Sequence, residues 1–264
     1  MIWRSALPAF LALLWVLPAS AEEDAAQDKP EEPKTRIARF LPVGDAPPFR
    51  QVVRDGVRYE LEPPPGTIPP RDLVAVPGGD PADPLQLRLG MLSKPVSIPE
   101  GPGPLALSLP GEEGEDGDRW LSVKRPETGD FLVLLWRDPA EKSWDHVSHL
   151  IVPDGPQGAP PGTVRIANLF PQGVRIEWAG EPVVLKGGET LRREVKPGEP
   201  VLLRILVPDS SGRLRRYYSG EVMQNQGERG FVVIYRADGI APRRPLKVAV
   251  YREPAPLPPP PEKS

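Results

Sequence analysis

His146 and His149 are the only imidazoles in the 264-residue chain, and cysteine is absent. They stand in Trp144-Asp145-His146-Val147-Ser148-His149. On a helix this spacing puts both rings on one face, where they would share a metal; on a strand the rings point to opposite faces. The alternation leading to Val152 favours a strand, and no thiolate completes a ligand set, so ordinary histidines and no metal are expected. A Ser-His-acid triad would need the same two residues. There is no G-x-S-x-G elbow and no S-x-x-K, and Ser148 beside His149 is adjacency without geometry, so no catalytic residue is assigned. Dinucleotide and P-loop fingerprints are missing as well, and no cofactor is expected.

Carboxylates offer two further chemistries. Gly111 to Asp118 (GEEGEDGD) packs acids densely enough for a hard cation such as calcium, but lacks the spacing that converges ligands on one ion. An open, solvated loop is the simpler expectation. Glu60 and Glu62 share a strand face, which suits glycoside chemistry in principle, but solvent-facing charges are the expectation. The cationic counterpart is Arg213 to Tyr218 (RLRRYY). Alternation places Arg213, Arg215 and Tyr217 on one face and Leu214, Arg216 and Tyr218 on the other, setting guanidinium forks beside an aromatic platform. Arg213, Arg215, Arg216, Tyr217 and Tyr218 are thus the candidate binding residues. Acidic glycans or lipid headgroups are the expected ligands, with nucleic acid only for a partner outside the cell. The competing reading is an edge strand whose arginines block pairing with another sheet.

Where such groups would work is set by the first residues. Arg4, an apolar run from Ala6 to Leu17 and Ala19-Ser20-Ala21 form a leader with a signal-peptidase site, so residues 1–21 are expected to be removed. The run is short for a membrane span, and no transmembrane segment is expected after cleavage. Without cysteine there is neither a disulfide nor a lipobox, which points to the periplasm or exterior of a bacterium and a free protein. Residues 22–34 read as an acidic disordered spacer. From Pro254 the proline run favours polyproline II. The formal charge is −3, yet residues 35–154 are acidic and 155–264 basic. The plain reading is ordinary surface drift or halves that attract each other; the sharper one is a C-terminal face for an anionic partner.

Thirty-nine prolines and 25 glycines make long helices improbable. Asp55-Gly56 between alternating runs predicts a type I′ hairpin. Phe131–Trp136, Val201–Val207 and Phe231–Tyr235 read as buried strands, and Asp138-Pro139-Ala140-Glu141 as a short helix start. Three echoes link the halves: Thr35–Ala38 with Val164–Ala167, Lys94–Ile98 with Glu181–Leu185, and Asp130–Arg137 with Gly230–Arg236. Closing strands Val147–Val152 and Leu246–Tyr251 follow the last pair. The expected fold is all-β: two tandem immunoglobulin-like β-sandwich domains, an internal duplication or two similar sandwiches, with disordered termini. They would cover 35–154, with an insertion at 41–84, and 163–253, joined by a linker at 155–162.

VRIANL, KPGEP and FVVIY within Thr163–Arg252 resemble uncharacterised exported bacterial proteins built of immunoglobulin-like or transthyretin-like modules. That resemblance implies a sandwich and no residue roles. The functional expectation is an exported, non-enzymatic scaffold or binding protein of the envelope, engaging an anionic polymer or another envelope protein. The alternative is a glycan hydrolase with unidentified carboxylates.

Overall fold

Period-two alternation and frequent turn residues give a chain built of strands, with no helix among the described residues. The computed structural model describes residues 34–77, 84–111, 119–138, 141, 143–238 and 242–256. The leader, nearly all of the acidic spacer, acidic loop residues 112–118, Pro139-Ala140 of the helix start and the proline run from 257 lie outside them.

Strands β1 (Thr35–Pro42), β2 (Gln51–Arg54), β3 (Val57–Glu60), β4 (Asp72–Pro77), β5 (Pro84–Gln86) and β6 (Val96–Pro99) come first. Next are β7 (Pro104–Ser108), β8 (Arg119–Lys124), β9 (Phe131–Arg137) and β10 (Val147–Pro153). The second half holds β11 (Thr163–Asn168), β12 (Val174–Trp178), β13 (Glu181–Leu185) and β14 (Thr190–Glu194). It ends with β15 (Val201–Pro208), β16 (Leu214–Val222), β17 (Glu228–Arg236) and β18 (Leu246–Pro254). The first half forms sheets β10-β9-β1-β6 and β5-β4-β7-β8; the second forms β14-β11-β17-β18 and β13-β12-β15-β16. Apart from hairpin β2-β3, the two orders coincide strand for strand. Even the exceptional parallel pairs match, β1 with β9 and β11 with β17. In each module the first two large strands, β1 and β4 or β11 and β12, lie in different sheets, whereas an immunoglobulin constant domain keeps its first two in one.

The ladders fix the residue correspondence. Ala38 opposes Phe131 as Val164 opposes Gly230, and Val147 opposes Arg137 as Leu246 opposes Arg236. The echo between Phe131–Arg137 and Phe231–Arg236 therefore joins equivalent strands, with Arg137 matching Arg236. The first echo joins the right strands three residues out of register, because Ala38–Leu41 is the counterpart of Val164–Ala167. Lys94–Ile98 and Glu181–Leu185 are not counterparts: β6 corresponds to β14, and β5 to β13. The expected insertion at 41–84 also contracts. β1 runs to Pro42 and β4 is a full sheet member, so the extra chain is residues 43–71, where the second module has 169–173. The Asp55-Gly56 hairpin is present within it. Asp55 (φ 51°) and Gly56 (φ 77°) both take the left-handed conformation that a type I′ turn demands.

Each module has its own apolar core, around Phe40, Leu105 and Phe131 in the first and Val164, Ile205 and Ile234 in the second. A third cluster joins them. Leu41, Val43, Leu132, Leu134 and Val152 of the first meet Ala167, Leu169, Phe231 and Val233 of the second. This is why FLVLLW and FVVIY are continuously apolar while β12 (VRIEW) alternates: β9 and β17 are buried on both faces. Four sheets stack, and the described residues belong to one compact unit. The segment 155–162 is packed rather than loose. Ala159 is buried, and a Cβ at Gly158 would lie 2.7 Å from Pro153.

Candidate functional site

Leu214 to Tyr218 falls on β16, an edge strand of the outer sheet of the second module, and Arg213 lies just before it. Asp209 organises its start. The carboxylate accepts hydrogen bonds from the Ser211 hydroxyl (2.6 Å) and from the amides of Ser211 and Arg213, and it pairs with Arg215 (3.2 Å). Those bonds, the Ser211 hydroxyl foremost, hold Asp209 below the usual carboxylate range.

Strict alternation fails two residues further on. Ile205 pairs with Tyr218 and the next residue, Leu206, with Arg216, so Tyr217 is the extra residue of a β-bulge. Tyr217 and Tyr218 both pack against the second core. Tyr218 lies across Gly220, where a Cβ would come 2.5 Å from the phenol oxygen. The expected alternation, with Arg216 and Tyr218 on one face, is therefore corrected: the tyrosines are half-buried wall, and Arg216 faces outward beside Leu206. In register with them stand Arg175 and Val184. In the next row Arg204 opposes Glu177, whose carboxylate lies 3.5 Å from Arg175 and 3.7 Å from Arg204. Three guanidiniums, one carboxylate and the exposed side chain of Val184 make this outer face cationic with an apolar margin.

The other expected groups do not converge. His146 is exposed in the bend before β10, while His149 is half-buried on that strand, where burial lowers its pKa. Among the described residues no three histidine or acidic side chains cluster as a metal site. Glu60 ends β3 and Glu62 lies beyond it, both exposed. The cavity beside β12 and β15 is lined by two carboxylates, Glu177 and Glu199, and by Arg204, and Glu177 is already engaged by arginine.

Charged residues that sequence reasoning passed over carry the most organised electrostatics, at the contact between modules. Arg39 grips Glu253 with two hydrogen bonds, of 2.7 and 2.8 Å, and donates to Asp154 at 2.6 Å. Arg229 reaches Glu253 at 2.8 Å and Asp154 at 3.0 Å, and donates to the Asp154 carbonyl. Arg229 and Asp154 are each 3% exposed. Burial works to raise the Glu253 carboxyl, yet hydrogen bonds and charge from Arg39 and Arg229 outweigh it and hold the group low. At Asp154 burial is the larger influence and pushes the carboxyl up against both guanidiniums. The visible signal was a lone charge within an apolar strand, such as Arg39 in Ile37-Ala38-Arg39-Phe40-Leu41.

At one end of the same contact the Asp45 carboxylate is held by Lys247 (2.8 Å), the Asp238 amide (3.1 Å) and the Tyr235 hydroxyl (3.5 Å), while Arg137 pairs with Asp238. Burial above all, then the nearby Asp45 charge, pushes the Tyr235 phenol up to about 12. An unfolded tyrosine ionises near pH 10, so between there and pH 12 the unfolded chain loses its proton first. Stability present below pH 10 is lost as pH rises through that window, by about 1–2 kcal/mol after discounting the solvent-exposed part of the ring. Tyr235→Phe is expected to remove that share of the alkaline loss. In an absorbance titration of the folded protein, Tyr235 and Tyr251, which burial also raises, ionise late; both ionising by pH 10.5 would contradict the assignment.

Among the described residues the charged pairs across the contact balance on each side: Arg39, Asp154, Arg137 and Asp45 face Glu253, Arg229, Asp238 and Lys247. No protein-family model and no curated protein sequence matches the chain.

Proposed function

We propose that this chain is an exported, non-enzymatic binding or scaffolding protein of the bacterial envelope, a tandem repeat of one sandwich, which holds an anionic polymer on the outer sheet of its second module. The observation that carries it is the row Val184, Arg175, Leu206 and Arg216 across β13, β12, β15 and β16, with Arg204 in the adjoining row. Guanidinium forks spaced along a rigid sheet suit repeating carboxylates or sulfates, and aliphatic side chains between them suit the apolar faces of sugar rings. The leader composition and the absence of cysteine support export. No helix among the described residues is long and apolar enough to cross a membrane.

Retention on a heparin column tests the reading. Arg175→Ser with Arg216→Ser is expected to lower the eluting salt concentration markedly, because each lost contact releases fewer counterions and screening acts on what remains. Arg213→Ser with Arg215→Ser should cost less, since Arg215 is tied to Asp209. Elution unchanged in the Arg175/Arg216 variant would overturn the proposal.

A further inference from the structure

The two modules meet through the same face, as the two halves of an isologous dimer do. Leu41, Val43, Leu132 and Leu134 correspond in the ladders to Ala167, Leu169, Phe231 and Val233, and all of them lie in the shared cluster. Asp154 and Glu253 of the ionic cluster are likewise counterparts. Each end of the contact is therefore a version of the other. At the closed end Asp45 fills the gap beside Tyr235, Lys247 and Asp238, and Arg137 pairs with Asp238. The corresponding positions at the opposite end are Pro171 for Asp45, Trp136 for Tyr235, Ser148 for Lys247 and Arg236 for Arg137. Asp238, the partner of Arg137, corresponds to Pro139 in the sequence.

So the plug and its anchor are both replaced by proline, and a cavity of about 360 Å³ opens where the closed end is filled. Trp136, Ser148, Phe170, Pro171 and Arg236 line it, with the Gly187-Gly188 turn. Its floor is rigid. Fully buried Asn168 donates to the carbonyls of Gln172 (2.9 Å) and Leu185 (3.0 Å) and accepts from the Phe170 amide (3.0 Å), locking both loops. A Cβ at Gly187 would meet the Phe170 carbonyl at 2.7 Å, so the backbones can approach only with glycine there. Among the described residues the Trp136 indole N–H, the Ser148 hydroxyl and the Arg236 guanidinium have no protein partner. Asp138, also at the rim, has contacts of its own.

We propose that this open end binds a carboxylate carried on a sugar ring, a hexuronate unit. The carboxylate is specified by the molecule itself, since Arg137, the counterpart of Arg236, pairs with the carboxylate of Asp238, for which the sequence has proline at the open end. The ring is specified by what differs: a larger aromatic surface at Trp136, apolar walls at Phe170 and Pro171, and a hydroxyl in place of the lysine. The carboxylate would face Arg236, with the ring against the indole. The site is separate from the cationic outer sheet, and either assignment stands without the other.

Calorimetry of the full chain with D-glucuronate, and with D-glucose and N-acetylglutamate as controls, tests it. One equivalent of glucuronate is expected to bind with a Kd on the order of 1 mM or tighter, at least about tenfold weaker in Arg236→Gln and in Trp136→Ala, and unchanged in Arg216→Ser. Pro171→Asp, which adds a carboxylate to the cavity wall in competition for Arg236, should weaken binding at least about tenfold. Absence of saturable binding, equal binding of glucose, tighter binding of N-acetylglutamate, or unaltered binding in Arg236→Gln would each overturn the proposal. Heparin retention lost with Arg175 and Arg216 while glucuronate binding persists would separate the two sites.

Discussion

Arg229→Met is expected to destabilise the protein by about 3–5 kcal/mol, the usual cost of removing one partner from a buried ionic cluster. Arg229 is 3% exposed, sits 5.5 Å over the Phe231 ring, and touches both carboxylates and the carbonyl at the end of the first module. Methionine fills similar volume but leaves Asp154 buried with Arg39 as its remaining cation. Glu253 keeps its two-pronged grip on Arg39, so the damage should centre on Asp154. Adding Asp154→Leu is therefore expected to recover more than half of the loss, because two apolar groups replace two charges. Urea unfolding reads both effects, with a midpoint shift on the order of 1–2 M for the single variant. A loss below about 1 kcal/mol for Arg229→Met would mean the cluster contributes no more than a surface pair.

Trp144→Ala is expected to cost about 3–5 kcal/mol, as large-to-small changes at filled aromatic positions do. Trp144 is 1% exposed and belongs to the first core, yet it lies in the bend before β10 rather than on a strand. Its amide donates to the Gly66 carbonyl (2.8 Å), and its carbonyl accepts from the Trp120 indole (2.8 Å). It thus ties the extra segment 43–71 to the sandwich. Trp144→Phe should cost less than half as much, since its indole N–H finds no acceptor among the described residues and most of the apolar surface is kept. Limited proteolysis near Gly66 is expected to quicken in Trp144→Ala. Equal melting temperatures for Trp144→Ala and the unsubstituted chain would refute the tie.

The long apolar runs at β9, β15 and β17 and the Asp55-Gly56 turn were legible because they are local. What escaped is set by distant chain. β4 was absorbed into the expected insertion because prolines crowd both its ends, although Leu73 and Ala75 alternate into the core. The echo of Lys94–Ile98 with Glu181–Leu185 arose because any two proline-led apolar strands look alike. The bulge at Tyr217 depends on the partner strand, and no period-two pattern announces it. Of the candidate binding residues, Arg216 gained a neighbourhood from Arg175 and Leu206, some forty and ten residues earlier in the sequence, which only the ladder brings beside it. The cleft opposite Asp45 was unreadable in principle, since it is defined by comparing two ends of a contact between modules.

The parallel pairing of the first strand of each module with its next-to-last has a consequence for how the molecule comes into being. Ala38 must wait for Phe131, and Val164 for Gly230, before either inner sheet closes. Such long-range closure places folding in the millisecond-to-second range or slower. A chain halted after Pro153 would have its first module complete but Leu41, Leu132 and Leu134 bare, waiting for Phe231 and Val233. Because the covering face is a near copy of the covered one, the nearest substitute for the missing half is the same half of another molecule. Synthesis of both modules on one chain keeps the correct face closest at the moment the bare one forms.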